Sequence, residues 1–275
     1  MPRKTSQQIT LRINFLKELS GLFDASGKVA FLPGGYGGIG EAIAWGLAMI
    51  GARVAVSGRS KEKAEAMAAE LRNAGFEAMG LGFDARSVAE IRDAADHVAE
   101  RFGAIDILVN CVGTHIEEPL LKATEEAYDE VYRVNLKSAM FLAQAAARHQ
   151  VQLRRGGKQI HLLSVRAQLG LRNRGYSSYC STKGGLVMLV RQHALELAPH
   201  RINVNGIAPT FVYTEMIRHV MENKAFYDHL LERIPLGRIA DPKDIVGPAL
   251  FFSTSASDFV TGQILYVDGG ITASQ

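Results

Sequence analysis

The chain is poor in cysteine, with Cys111 and Cys180 its only two in 275 residues. Two cysteines cannot build the disulfide framework of a small secreted scaffold, so a reducing, cytoplasmic setting is expected. No apolar run approaches the roughly 20 residues of a membrane-spanning helix. Arg12, Lys17 and Glu18 break up the N-terminal segment, which excludes a signal-peptide core there. Pro/Ser-rich linkers, low-complexity runs and fixed-period repeats are also missing, so nothing divides the chain into several domains. Charge is nearly balanced at +3 and both signs are interspersed. That distribution lacks the basic stripe expected of a nucleic-acid binder. Eight histidines are scattered without a metal-ligand spacing, and no metal site is expected.

What is present is an alternation. Short apolar runs such as VAFL (29–32), VAVS (54–57), IDILVN (105–110), KQIHLLS (158–164), RINVNGI (201–207) and QILYV (263–267) are separated by helical patterns. The clearest helices cover 60–74, 87–102, 124–153 and 177–198, with EAIAWGLAMIGA (41–52) ahead of them. Such alternation predicts a doubly wound α/β domain on a parallel sheet buried on both faces. Residues 28–275 are expected to form it. Residues 1–27 read as an extension with a short amphipathic helix. Leu11, Phe15, Leu16, Leu19, Leu22 and Phe23 recur on one face that would pack on the domain or on a neighbouring subunit.

FLPGGYGGIG (31–40) puts five glycines between the first strand and the first helix. In a doubly wound fold this turn aims backbone N–H groups and the positive end of a helix at a pyrophosphate. The spacing Gly34-x-x-x-Gly38-x-Gly40 lacks the Gly-Lys-Ser/Thr ending of a P-loop. Further along, YSSYCSTKGG (176–185) places Tyr179 and Lys183 four apart on one helical face. A free tyrosine, with a pKa near ~10, is a weak base at neutral pH, and an adjacent cation lowers that value. The two therefore form a candidate acid/base pair, with Ser164 at the end of the preceding strand to hold a reacting oxygen. Cys180 lies between them, and with no base beside it in sequence it reads as small-residue packing.

In these features the chain resembles the short-chain dehydrogenase/reductase family over residues 24–270. The matching segments are PGGYGGIG (33–40), FDA (83–85), VNCVG (109–113), VN (134–135), LLSV (162–165), YCSTK (179–183), NGIAPTFVYT (205–214) and TGQILYVDGG (261–270). The resemblance implies reversible NAD(P)-dependent oxidation of an alcohol or reduction of a carbonyl. Tyr179 would be the acid/base and Ser164 would hold the substrate oxygen. Lys183 would bind the nicotinamide ribose, and Asn135 would position a water joining Lys183 to solvent. Gly34, Tyr36, Gly38, Ile39 and Gly40 would line the dinucleotide loop. Asp84 and Ala85 would meet the adenine, and Asn110 and Gly113 would lie beside the adenosine ribose. Pro209, Val212 and Thr214 would flank the carboxamide. The resemblance also implies a homo-oligomer, tetramer or dimer.

Four positions depart from the family pattern. Pro33 replaces threonine, Cys111 and Val112 interrupt Asn-Asn-Ala-Gly, and Thr210 follows Pro209 where glycine is usual. Ser164 lies fifteen residues before Tyr179 rather than thirteen, which reads as a two-residue insertion in the loop between them.

Substrate and cofactor leave alternatives. Gly58 and Arg59 stand at the end of the second strand, with no carboxylate before Glu62. An acid there would hold the ribose of NAD, whereas Arg59 suits a 2′-phosphate, so NADP(H) is expected to be preferred with NAD(H) accepted. Arg166, Arg172 and Arg174 occur in VRAQLGLRNRGYSS with no acid among them. They either line the pocket rim and grip an anionic substrate or form a solvated or ion-paired loop. Phe226 and Tyr227, on a helical stripe after Thr214, are either a lid or core. The small-molecule substrate is a sugar or sugar acid, or else a 3-oxoacyl thioester or another carbonyl compound. A rival of another class is a nucleotide sensor on the same fold that performs no chemistry.

Overall fold

The computed structural model describes residues 14–215 and 222–274. Leu11, in the expected N-terminal stripe, lies outside them. The alternating pattern becomes seven strands, all parallel, in the order β3-β2-β1-β4-β5-β6-β7. They are β1 (Val29–Pro33), β2 (Arg53–Gly58), β3 (Ala78–Gly82), β4 (Ile107–Asn110), β5 (Gly157–Leu162), β6 (Ile202–Pro209) and β7 (Ile264–Val267). The expected doubly wound α/β domain is what forms. All five residues of β1 are buried, as a strand covered on both faces requires.

The helices lie on the two faces. α1 (Gly38–Met49) and α2 (Lys61–Asn73) follow the first two strands, and α3 (Val88–Phe102) follows β3. After β4 come α4 (Glu125–Tyr132), a π turn (Arg133–Lys137) and α5 (Ser138–Leu153). α6 (Ser177–Leu197), α7 (Lys224–Glu232) and α8 (Pro242–Ser253) follow among the described residues. Helix starts follow the sequence: Ser60, Ser87 and Thr124 each accept a backbone N–H from the first turn. Two sheet faces make two cores. Leu32, Ile43, Leu47 and Val56 pack on one side, and Phe31, Ile91, Ile105 and Leu108 on the other. Each such fully buried side chain contributes about 1.5–3 kcal/mol.

The N-terminal segment is helical over 14–20, and Leu22 of its apolar stripe is partly buried. Phe15, Leu16, Leu19 and Phe23 are all exposed. The segment is joined through the Leu22 carbonyl, which accepts from Ala256 N and Ser255 Oγ.

The strand order reverses between β1 and β4. In open α/β sheets the crevice beyond the carboxyl ends at such a reversal is where ligands bind. Gly34 leaves β1 at this point and Cys111 leaves β4. The two ends are tied by a 2.8 Å bond from Cys111 N to the Pro33 carbonyl. A backbone bond therefore links these strands even though Pro33 and Cys111 replace the family's usual residues.

Candidate active site

The glycine turn is shaped for close approach. Gly34 and Gly38 have φ of +76° and +53°, which L side chains rarely adopt. A Cβ at Gly34 would lie 2.8 Å from the Cys111 carbonyl, and one at Gly38 would lie 3.0 Å from the Thr214 methyl. One at Gly40 would collide with the Gly34 carbonyl. Gly37, at the start of α1, has open space before it and no side-chain cap. The positive end of α1 thus faces a groove into which backbone alone projects, as a pyrophosphate requires. The segment after β6 arches over this turn: Pro209 ends β6, Val212 bridges to Ala240, and Thr214 reaches Gly38. Ile39 packs partly buried against the core behind the turn.

Tyr36 lies against Gly58, where any Cβ would strike its ring, and its hydroxyl accepts from Ser60 N at 3.5 Å. Next to it, a cleft of about 390 Å3 opens at the ends of β2 and β3, lined by Arg59, Lys61, Asp84 and Arg86 among others. Arg59 is exposed there. The chemistry of this cleft fits a phosphate-bearing nucleoside, because cations outnumber carboxylates at its mouth. Asp84, expected to meet adenine, has its carboxylate claimed by Arg86 through bonds of 2.6–3.0 Å. That bond holds the Asp84 carboxyl below its ordinary value. Ala85 packs beneath, partly buried.

Asn110, at the end of β4, is buried and turned inward. Its Oδ1 accepts from Val112 N at 3.0 Å and its Nδ2 meets His161 Nδ1 at 3.3 Å. Gly113 faces the centre, where a Cβ would lie 3.7 Å from Asn135 Oδ1 and 3.8 Å from Lys183 Nζ. Asn135 sits in the π turn, a distortion frequent at functional sites. Its carboxamide is used on Thr114 and on the Thr182 hydroxyl.

Tyr179 and Lys183 share a face of α6, with Nζ 5.5 Å from the centre of the tyrosine ring. Ser164 caps the short turn after β5, accepting from Arg166 N at 3.2 Å, and its hydroxyl favours the ionised form of the Tyr179 phenol. The structure therefore brings Ser164, Tyr179, Lys183 and Asn135 together beside Gly113, with the two extra loop residues between Ser164 and Tyr179 accommodated. The electrostatics differ from the simple expectation of a lowered tyrosine pKa. Burial pushes Tyr179 up to about 12, opposed by Ser164 and the Arg166 charge. Burial likewise pushes Lys183 down to about 8, its ammonium donating to the Leu162 carbonyl at 2.8 Å. Cys111 is pushed up to about 12 by burial, which removes it as a nucleophile.

The three loop arginines separate. Arg172 is exposed. Arg174 is neutralised: it grips Glu117 with both prongs at 2.6 and 2.5 Å, and it lies over Tyr176 and Phe226. Glu117 belongs to the loop after β4, so the acid missing from the arginine segment arrives from elsewhere in the chain. Arg166 alone is buried without a carboxylate. Its Nη1 donates to the Leu169 and Gly170 carbonyls, and its Nη2 has no partner. Phe226 and Tyr227 pack partly buried on the cluster of Val165, Leu230, Ile234 and Ile271, covering this loop. Two features escaped the sequence reading, the Glu117–Arg174 clasp and His115, whose ring lies against Tyr176 and Tyr179. The only signal for the clasp was an acid in the loop after β4. Among the described residues no group of three metal-ligating side chains occurs, and no helix is long and apolar enough to cross a membrane.

A family model described as enoyl-(acyl carrier protein) reductase matches residues 35–272. The chain is 36% identical over 253 residues to the 5-keto-D-gluconate 5-reductase of Escherichia coli (strain K12), covering 92% of this chain and 98% of that protein. It is similar to a gluconate 5-dehydrogenase from Burkholderia cenocepacia J2315 solved in complex with NADP and tartrate. That match has a TM-score of 0.89 at 37% identity and covers 92% of this chain and 98% of that one. A short-chain type dehydrogenase/reductase from Mycobacterium marinum matches with a TM-score of 0.88 at 32% identity, covering 93% and 100%. With the glycine turn, the parallel sheet and the Ser–Tyr–Lys geometry already in place, these matches identify the chain as an oxidoreductase that belongs to the short-chain dehydrogenase/reductase family.

Proposed function

We propose that the protein uses NADP(H) to interconvert a secondary alcohol and a ketone on a sugar acid. The observation that carries the substrate class is Arg166. A buried guanidinium with a free Nη2 and no carboxylate partner stands two residues beyond Ser164. A buried charge is strongly disfavoured unless paired. A substrate carboxylate supplies that pair, and the names of the gluconate-active relatives agree with it. In this reading Arg172 and Arg174 take no part, since one is solvated and the other is spent on Glu117.

The groove from Gly34, Gly38 and Gly40 to Arg59 suits NADP(H), with the pyrophosphate on the glycine turn and the 2′-phosphate at Arg59. Tyr36 and Asp84 lie at the adenosine end, with Ile39, Ala85 and Asn110 supporting that wall from behind. Gly113 lies between it and Lys183, and Pro209, Val212 and Thr214 flank the nicotinamide end. The chemistry a nicotinamide supplies when bound there is hydride transfer. In reduction, Tyr179 gives its phenol proton to the carbonyl oxygen while Ser164 holds that oxygen. Lys183, charged at neutral pH, stabilises the phenolate left behind, and Asn135 fixes the loop against which both work. Oxidation runs the same steps backwards.

Residues 28–275 act as the catalytic domain in this proposal, with 1–27 an extension outside it. Exposed Tyr128, Tyr132, Met140, Met188 and Leu195 on α4, α5 and α6 support a homo-oligomer, dimer or tetramer, and the low cysteine count supports a cytoplasmic setting for it.

The test is a panel of 5-keto-D-gluconate, its uncharged ketose analogue and a 3-oxoacyl thioester, each with NADPH and with NADH, followed by nicotinamide absorbance. Fastest turnover of the keto acid with NADPH is expected. Arg166→Met should raise its KM about tenfold or more without a matching rise for the uncharged analogue. Preference for the thioester, or equal effects of Arg166→Met on acid and analogue, refutes the sugar-acid reading.

A further inference from the structure

His115 occupies a position that aromatic packing alone does not account for. Its ring lies on Tyr176, with centroids 4.0 Å apart and planes inclined at 34°. It meets Tyr179 edge-on at 5.1 Å and 70°. The preceding residue, Thr114, is held by Asn135 through both its backbone groups. The imidazole is thus fixed against the tyrosine that carries the proton.

Neither ring nitrogen has a hydrogen-bond partner, and both are shielded from solvent. The surrounding packing pushes the imidazole toward its uncharged form. In that form it carries one donor and one acceptor. Buried polar atoms are almost always satisfied, and an exception calls for a cause. Glu117, whose charge acts on His115, is already committed to Arg174 and to Gly175 N. A phenylalanine would stack on Tyr176 without stranding any polar atom. The unmet donor and acceptor beside the acid/base group are suited to a second polar group on the substrate, close to the carbon that reacts.

We propose that His115 reads the substrate by hydrogen-bonding a hydroxyl on the carbon next to the reacting one. The site then prefers an α-hydroxy ketone, or the matching vicinal diol, over a plain ketone. The inference rests on the alcohol–ketone reading above, but not on the carboxylate.

The experiment uses two matched pairs with the full chain and NADPH. One is 5-keto-D-gluconate against its 4,6-dideoxy analogue, which lacks a hydroxyl on both carbons beside the ketone, and the other is acetoin against 2-butanone. The wild type should favour the hydroxylated member of each pair it reduces. His115→Phe should cut that preference in kcat/KM about tenfold or more, because a buried polar group that reads a hydroxyl discriminates by leaving itself unpaired otherwise. His115→Gln, which keeps a donor and an acceptor, should retain most of the preference. His115→Leu replaces the Phe variant if the latter does not fold, as judged by its melting curve. Equal losses on both members, an unchanged preference in the Phe or Leu variant, or no preference in the wild type overturns the proposal. If 5-keto-D-gluconate is untouched while the acetoin pair behaves as described, the sugar-acid reading falls and the role of His115 stands.

Discussion

Asn135 holds Thr114 at both backbone groups: Oδ1 accepts from its N–H at 2.7 Å, and Nδ2 donates to its carbonyl at 3.0 Å. The same Nδ2 reaches the hydroxyl of Thr182 at 3.2 Å. One carboxamide thereby ties the loop after β4 to the helix that carries Tyr179 and Lys183. Asn135→Ala strands these groups in a protected place, which costs about 1–3 kcal/mol. Thermal unfolding should register it as a fall of several degrees, about 2–4 °C per kcal/mol for a chain of this size. Turnover should drop as well, because Gly113 and Thr114 no longer fix the wall beside Lys183. A variant with unchanged melting temperature would show that the clamp carries no weight.

The Tyr179–Lys183 pair makes a directional prediction. A phenol near pKa 12 keeps its proton at neutral pH, so it is ready to give the proton in reduction and must first lose it in oxidation. The oxidation rate should therefore climb as pH rises from about 7 to 10, while the reduction rate does not. Tyr179→Phe should lower kcat by about 10²–10⁴ in either direction. NADPH binding, measured by its fluorescence, should survive that change and weaken in Lys183→Ala. Near-normal turnover in Tyr179→Phe would remove Tyr179 from the mechanism.

Arg59 is exposed at the mouth of the cleft shared with Lys61, Asp84 and Arg86. Arg86 is committed to Asp84 and Glu130, which leaves Arg59 as the better-placed cation for a 2′-phosphate. Arg59→Ala should raise the Kd for NADPH about 10-fold to 100-fold, the size of a charge-assisted hydrogen bond, and leave that for NADH nearly unaltered. Parallel fluorescence titrations with the two cofactors decide it. Equal weakening of both would mean that Arg59 acts on the shared part of the dinucleotide.

The sheet was legible because its strands are short apolar runs bounded by glycine or polar residues, and burial on both faces leaves no other place for a run such as VAFLP. Tyr179 and Lys183 were legible because a helix fixes which residues share a face. Tertiary contacts were not. Arg174 and Glu117 lie 57 positions apart and meet only because β4 and β5 are neighbours in the sheet. The burial of Arg166 depends on α7 folding over its loop, where Phe226 and Leu230 pack. Periodicity also predicted one continuous helix over 124–153, since the π turn at Arg133–Lys137 interrupts no apolar pattern. Of the N-terminal stripe, Phe15, Leu16 and Leu19 lie on a helix and Leu22 and Phe23 on the turn that follows; periodicity names an apolar face and not what covers it.

His161 provides the last prediction. It lies on β5, wholly buried, with Asn110 as its hydrogen-bond partner. Asn110 Oδ1 is engaged by Val112 N, so Nδ2 donates, His161 Nδ1 accepts, and the proton resides on Nε2. Burial first, and then the charges of His193 and Lys183, push its pKa from 6.5 down to about 3. The unfolded chain therefore takes up a proton below pH 6.5 that the folded chain refuses until about pH 3. Linkage then requires stability to fall as pH drops through that window, by up to about 1.4 kcal/mol per unit. Carboxylates held low by ion pairs, such as Asp244 at about 2 beside Arg238, add to the loss on the acid side of their ordinary range. His161→Gln keeps a polar group for Asn110 but has no titration. Between pH 6.5 and 4.5 the wild type should lose about 2–3 kcal/mol more than this variant in urea unfolding. Parallel losses in the two proteins would assign the acid sensitivity to the carboxylates and not to His161.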